Sequence, residues 1–218
     1  MKRERTMPSR TPRSSGRRAA AWGNMMVLGA LLAGCGTAQP PRFHSLLPAP
    51  AAVAMPMTVP GPLVWEVSTV GIPPAVDQPQ WVVRRADGSL AVLEQERWIA
   101  PLADELRAAV SERLTFILGA PMVDANGTPQ RLWRVKIDVQ RFESWPGREA
   151  RLDALWSVRA VGGDAASLTC RVEIAEASVS DGYLGLAAAH RRVVGRLGVS
   201  IGSAIKALSA GQAVGCSG

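Results

Sequence analysis

Three segments between Trp133 and Ile174 constrain this chain more than anything else in it. Trp133, Val135, Ile137 and Val139 alternate with Arg134, Lys136, Asp138 and Gln140. Leu152, Ala154, Trp156, Val158 and Ala160 then alternate with Arg151, Asp153, Leu155, Ser157 and Arg159. Leu168, Cys170, Val172 and Ile174 give a third row. A period of two with one wet face is the signature of a strand in a half-buried antiparallel sheet. Trp145-Pro146-Gly147 and Gly162-Gly163-Asp164 supply the turns, so the segments predict a three-stranded meander with Cys170 on its core side.

Upstream, Leu63–Val70 alternates enough to be a strand, Trp81–Arg85 reads as another, and Asp87-Gly88 as a hairpin turn returning along Leu90–Glu94. Leu102, Leu106, Val110, Leu114 and Ile117 form one stripe of a helix from about Pro101 to Leu118. Proline at its start, Asp104 and Glu105 in its first turn, and Gly119 and Pro121 beyond its end all fit. A last helix runs from about Leu184 to Leu208, with Leu186, Val193, Leu197, Ile201, Ile205 and Leu208 on one face. Gly195, Gly198 and Gly202 each weaken it by up to about 1 kcal/mol relative to alanine, which suggests close approach to a neighbouring element. The order of strands, helix, meander and helix predicts an α+β domain: a mostly antiparallel sheet with both helices on one face. The Pro/Ala-rich stretch before Leu63 reads as a semi-rigid tether, interrupted by a short strand at residues 43–47.

The first residues are of another kind. Seven cations among the first 18 residues precede an uncharged run from Ala19 to Ala33, ending in Leu32-Ala33-Gly34-Cys35. A basic start, an apolar stretch too short to span a bilayer and small residues before a cysteine resemble the leader and lipobox of bacterial lipoproteins. The expectation is a signal peptide at 1–34, lipid (diacylglycerol, with palmitate among the acyl chains) on Cys35, a tether to residue 62, a single domain at 63–210 and a tail at 211–218. Two or more acyl chains hold stably to a bilayer. Gly36, where an aspartate would signal inner-membrane retention, favours the outer membrane.

The formal charge of +7 looks at first like a nucleic-acid footprint, but residues 1–35 hold seven of the 25 basic groups and one of the 18 acids. The remainder is almost balanced, so the surplus a phosphate backbone requires is absent from the domain. Gly198-Val199-Ser200-Ile201-Gly202 matches a nucleophile-elbow pattern, yet it lies inside the terminal helix and no histidine follows it. Two distant histidines, His44 and His190, give no metal-ligand spacing, and no phosphate-binding loop is present. The residues therefore point to a binding or structural domain, with no metal and no cofactor beyond the lipid, and not to an enzyme. Of the tryptophans, Trp81, Trp133 and Trp156 fit core positions. Trp98 and Trp145 fall near turns, where either an interface anchor or a rim position suits them. For Cys170 and Cys216 two alternatives stand, a disulfide in an oxidising compartment or a buried thiol and a loose terminal one.

A longer pattern runs through Ile72-Pro73, Val76-Asp77-Gln78-Pro79-Gln80-Trp81-Val82-Val83-Arg84, Asp87-Gly88, Arg97-Trp98-Ile99-Ala100-Pro101-Leu102, Arg141-Phe142 and Asp153–Trp156. In this order the chain resembles the ABC-type transport auxiliary lipoproteins, the paraquat-inducible protein C family. It departs from the pattern at Gln78, where arginine is common, and at Ala100, where an acid is common. The resemblance implies an outer-membrane, periplasm-facing lipoprotein that docks MCE-domain proteins and, through them, inner-membrane permease and ABC components, and it leaves a homo-oligomer open. It also implies a docking surface around Gln80, Arg84, Arg97 and Trp98; the alternative is that these residues only stabilise the hairpin-to-helix junction. A glycine-lined terminal helix raises a different function, a lipid carrier, and an envelope-assembly lipoprotein unrelated to transport is a third.

Overall fold

The inward rows of the meander continue in space as they do in sequence. In the computed structural model, which describes residues 39–48, 63–120, 131–162, 166–180 and 182–216, the folded unit spans Pro40–Gly218. Strands β5 (Leu132–Trp145), β6 (Glu149–Val161) and β7 (Ser167–Ala177) pair antiparallel. Trp133 faces Ala160, Val135 faces Val158, and Ile137, Trp156 and Cys170 form one row. β5 is longer than the alternation suggests because its register shifts between Val139 and Arg141. The extra residue lengthens the inward spacing, and Phe142 and Ser144 then resume the buried face.

β2 (Val64–Gly71) lies parallel to β5 at the other edge of this four-stranded sheet, with Trp65 beside Trp133 and Val70 beside Ile137. The two strands between them in the chain join one from ahead of β2 in a second, three-stranded sheet. There β4 (Leu90–Trp98) is flanked by β3 (Gln80–Arg84), antiparallel, and by β1 (Arg42–His44), parallel. The β3–β4 turn is held by Arg85 N–H donating to Ser89 O and by the Asp87 carboxylate, which accepts from Ser89 N and Oγ. Gly88 sits there at φ +86°, a conformation that costs glycine nothing.

The architecture is α+β, as the element order implied. Its strands divide between two mixed sheets instead of one, because β1 and β2 pair in parallel with partners far along the chain. The short strand expected within the tether is present as β1 and pairs with β4. β1 is part of the domain, and Leu46 is in its core.

α1 (Leu102–Leu118) and α2 (Gly182–Ser209) pack on each other, α1 also against β2 and α2 against β6 and β7. The buried side of α2 is formed by Leu186, Val193, Leu197, Ile201 and Ile205. The glycines explain the close helix contact: a Cβ on Gly198 would stand 2.8 Å from Arg113 Cβ, and one on Gly202 would stand 3.1 Å from Ile117 Cγ2. A disulfide joins Cys170 of β7 to Cys216, fastening the C-terminal segment to the sheet. Among the described residues no helix is long and apolar enough to cross a membrane.

Candidate functional site

Alternation along β3 and β4 divides the small sheet into two chemically different faces. Inward go Trp81, Val83, Ala91, Glu96 and Trp98, all buried. Outward, Gln80 is paired with Arg97, Val82 with Val92 and Arg84 with Leu90; Phe43 of β1 is paired with Arg97 from the other side. Three of the four residues expected at a docking surface, Gln80, Arg84 and Arg97, thus share one face.

Trp98 does not join them. Only 4% exposed, it packs against Trp81 with ring centroids 4.6 Å apart, and it faces Phe142 edge-on at 6.0 Å. Its packing partners lie in the protein's own interior, which is the junction-stabilising position that stood as the alternative to docking. The turn that follows at Ile99 made it look peripheral. Glu96, two residues earlier on the same side of β4, is buried with it.

The outward polar groups are held in place by local bonds. The Arg84 guanidinium donates to Glu143 Oε1 at 2.7 Å and to Gly88 O at 2.9 Å, and lies 5.5 Å from the Trp145 ring. Glu94 collects the other two: Gln80 Nε2 donates to its carboxylate at 3.3 Å and Arg97 Nε to its carbonyl at 3.1 Å. Beside Arg84 a groove of about 190 Å³ opens between the hairpin and β5, lined by Val76, Val82, Leu90, Phe142 and Glu143 among others. Fixed arginine and glutamine heads next to half-exposed Leu90 and Val92 form a surface suited to a protein partner: apolar contacts in the middle, oriented polar groups around them.

Behind that face lies a buried polar cluster that the sequence did not announce. Glu96 is ion-paired with Arg42 and its other oxygen lies 2.6 Å from His44 Nε2. Glu105 accepts from Leu46 N–H and Ser45 Oγ, both at 2.7 Å, and Arg191 Nε donates to Ser45 O. Together these bonds latch β1 to β4, α1 and α2. Glu105 lies in the first turn of α1, where helix-start electrostatics alone would account for it. Only the long-range pairing shows that Glu96 and Glu105 are desolvated and satisfied.

Deeper still, Trp81 Nε1 donates to Ser144 Oγ at 2.7 Å, and that oxygen lies 2.8 Å from His190 Nε2. The His190 ring stacks on Phe142 at 4.3 Å with Trp81 and Trp98 nearby. Full burial lowers its pKa from 6.5 to about 3, so the imidazole is neutral. Ser144 and His190 make a serine–histidine contact without access: both are sealed from solvent. Ser200 of the elbow-like motif lies within α2, not at the strand-to-helix turn such chemistry requires. No group of three His, Cys, Asp or Glu side chains among the described residues could hold a metal ion.

The sequence of residues 44–202, well over half of the chain, matches the family model of the ABC-type transport auxiliary lipoprotein component. The chain belongs to this family. A solved structure shares its fold: a crystal structure of an uncharacterised protein, 15% identical, aligns over 77% of this chain and 99% of its own with a TM-score of 0.56. A protein from Xanthomonas campestris described as DUF330, 20% identical, aligns over 79% and 99% with a TM-score of 0.49. No curated protein matches the sequence significantly.

Proposed function

We propose that this auxiliary lipoprotein is anchored in the outer membrane by acyl chains on Cys35 and works as a docking component of an intermembrane lipid-transport system. Its domain faces the periplasm and holds an MCE-domain protein that is coupled to inner-membrane permease and ABC components. The observation that carries this reading is the outward face of the β1–β4–β3 sheet. Gln80, Arg84 and Arg97 are oriented there, beside a groove of mixed polar and apolar lining, within the stretch that matches the family. A chain that holds a partner needs such a fixed surface and needs no accessible nucleophile or acid–base pair.

The competing carrier reading rested on the glycines of the terminal helix, and two of these, Gly198 and Gly202, face α1 rather than a ligand space. The side of α2 toward the sheet is filled by Leu186, Val193 and Ile201, each fully buried.

The test is capture of the MCE partner from solubilised envelopes by the acylated chain and by a Gln80→Ala/Arg97→Glu variant. We expect capture to fall about tenfold, the effect of roughly 1.4 kcal/mol, with an unchanged circular dichroism spectrum and melting profile. Undiminished capture by the folded variant would remove this face from the docking role. Cys35→Ala is expected to leave the chain in the soluble fraction after envelope sedimentation.

A further inference from the structure

Incorporation of β1 into the domain changes what the lipid anchor can do. If the leash ran to Leu63 the domain would float free of the bilayer, but the folded unit takes up the chain again at Pro40. From Cys35 to Arg42 there are seven residue steps, which span at most about 25 Å when fully extended. β5 alone, 14 residues long, measures about 46 Å. With acyl chains on Cys35, the β1 end of the domain is therefore its membrane-proximal end. This step rests on the acylation proposed above.

That end carries an amphipathic edge. Phe43 and Arg97 are register partners, and Ile99 N–H donates to His44 O at 2.9 Å, so Ile99 continues the same ladder. Phe43, Arg97 and Ile99 consequently follow one another on the outward face, with Phe43 55% and Ile99 58% exposed. Leu47, also exposed, lies just past the strand. The Arg42 side chain is largely exposed although its tip reaches Glu96, and Arg97 is about one-third exposed. The acids beside them are Glu96, which is buried, and Glu94, which is exposed. Among the described strands β1 has a neighbour on one side only.

We propose that this edge, Phe43, Leu47 and Ile99 with Arg42, rests in the headgroup layer of the bilayer that holds Cys35, while Arg97, between Phe43 and Gln80 in the register, stays with the docking face. Apolar side chains of such an edge enter the interface while a guanidinium group meets lipid phosphates. The contact turns a flexible attachment into an oriented one. It fixes which way the rest of the small sheet faces.

The test uses the full acylated chain reconstituted into vesicles containing phosphatidylglycerol, with an environment-sensitive fluorophore on Phe43→Cys, Ile99→Cys or, as control, Leu155→Cys on the outward face of β6. Lipids brominated near the headgroup should quench the labels at 43 and 99 by about twofold or more, as for groups about 5–10 Å into the headgroup boundary, and leave the label at 155 unchanged. If the labels at 43 and 99 respond like the one at 155 while the protein still floats with the vesicles, the contact is wrong and the anchoring stands. If the chain fails to float and Cys35→Ala behaves identically, anchoring fails and the contact with it. Shielding of both labels in lipid-free detergent as the protein is concentrated would assign the edge to a second copy of the chain, overturning the membrane contact.

Discussion

Acidification should unfold this domain through His190. Its ring is 0% exposed, wedged among Phe142, Trp81 and Trp98, and its folded-state pKa falls to about 3 from an ordinary 6.5 because burial penalises the charged form. The unfolded chain binds a proton at this site below pH 6.5; the folded one does not until about pH 3. The stabilisation is therefore complete above pH 6.5 and is lost progressively as pH falls toward 3, at up to about 1.4 kcal/mol per pH unit. Over that window the loss sums to about 4–5 kcal/mol, a large share of the roughly 5–15 kcal/mol that holds a typical domain together. Urea unfolding followed by tryptophan fluorescence at several pH values between 7.5 and 4 measures it, since Trp81 and Trp98 report from beside the ring. The carboxylates add their own acid dependence, so the comparison is with His190→Gln, which keeps a hydrogen-bonding group toward Ser144 and does not titrate there. The variant should start less stable and lose stability less steeply between pH 6.5 and 4. Equal slopes in the two proteins would refute the assignment to His190.

Two further perturbations separate packing from propensity and test the latch. Gly198→Ala should destabilise by about 1–3 kcal/mol because the new Cβ meets Arg113 of α1. Gly195→Ala, with nothing within 4 Å of the added carbon, should stabilise by up to about 1 kcal/mol; thermal melts of the pair read the difference. Glu105→Ala leaves the Leu46 N–H without its acceptor, at a cost of about 1–3 kcal/mol. Limited proteolysis should then cut near residues 42–48 in the variant and spare them in the parent chain.

The parts legible in the sequence were those whose signal is local. The meander announced itself through alternation, and α1 through its stripe and its Pro101 and Gly119 boundaries. What escaped depends on residues distant in the chain. Nothing near Val64 says that it will run parallel to Leu132, and the bulge after Val139 interrupts the period that would have carried β5 on to Trp145. Of the residues that the resemblance singled out, Gln80, Arg84 and Arg97 share one face of the small sheet, which period-two alternation along β3 made legible. For Trp98 the local sequence left two positions open, and only its packing against Trp81 and Phe142 decides for the interior. The buried cluster was least visible: Glu96, Glu105, His44 and His190 are ordinary polar residues until Arg42, Leu46 and Ser144 arrive from elsewhere.

The Cys170–Cys216 bridge has a consequence for turnover. An exopeptidase trimming from the C-terminal side stops at the Cys216 crosslink, and a processive protease that grips the chain beyond it must drag two chain segments abreast through its entrance. In an oxidising compartment the C-terminus is thus a poor handle for degradation, and clearance of the protein has to begin at an internal cut.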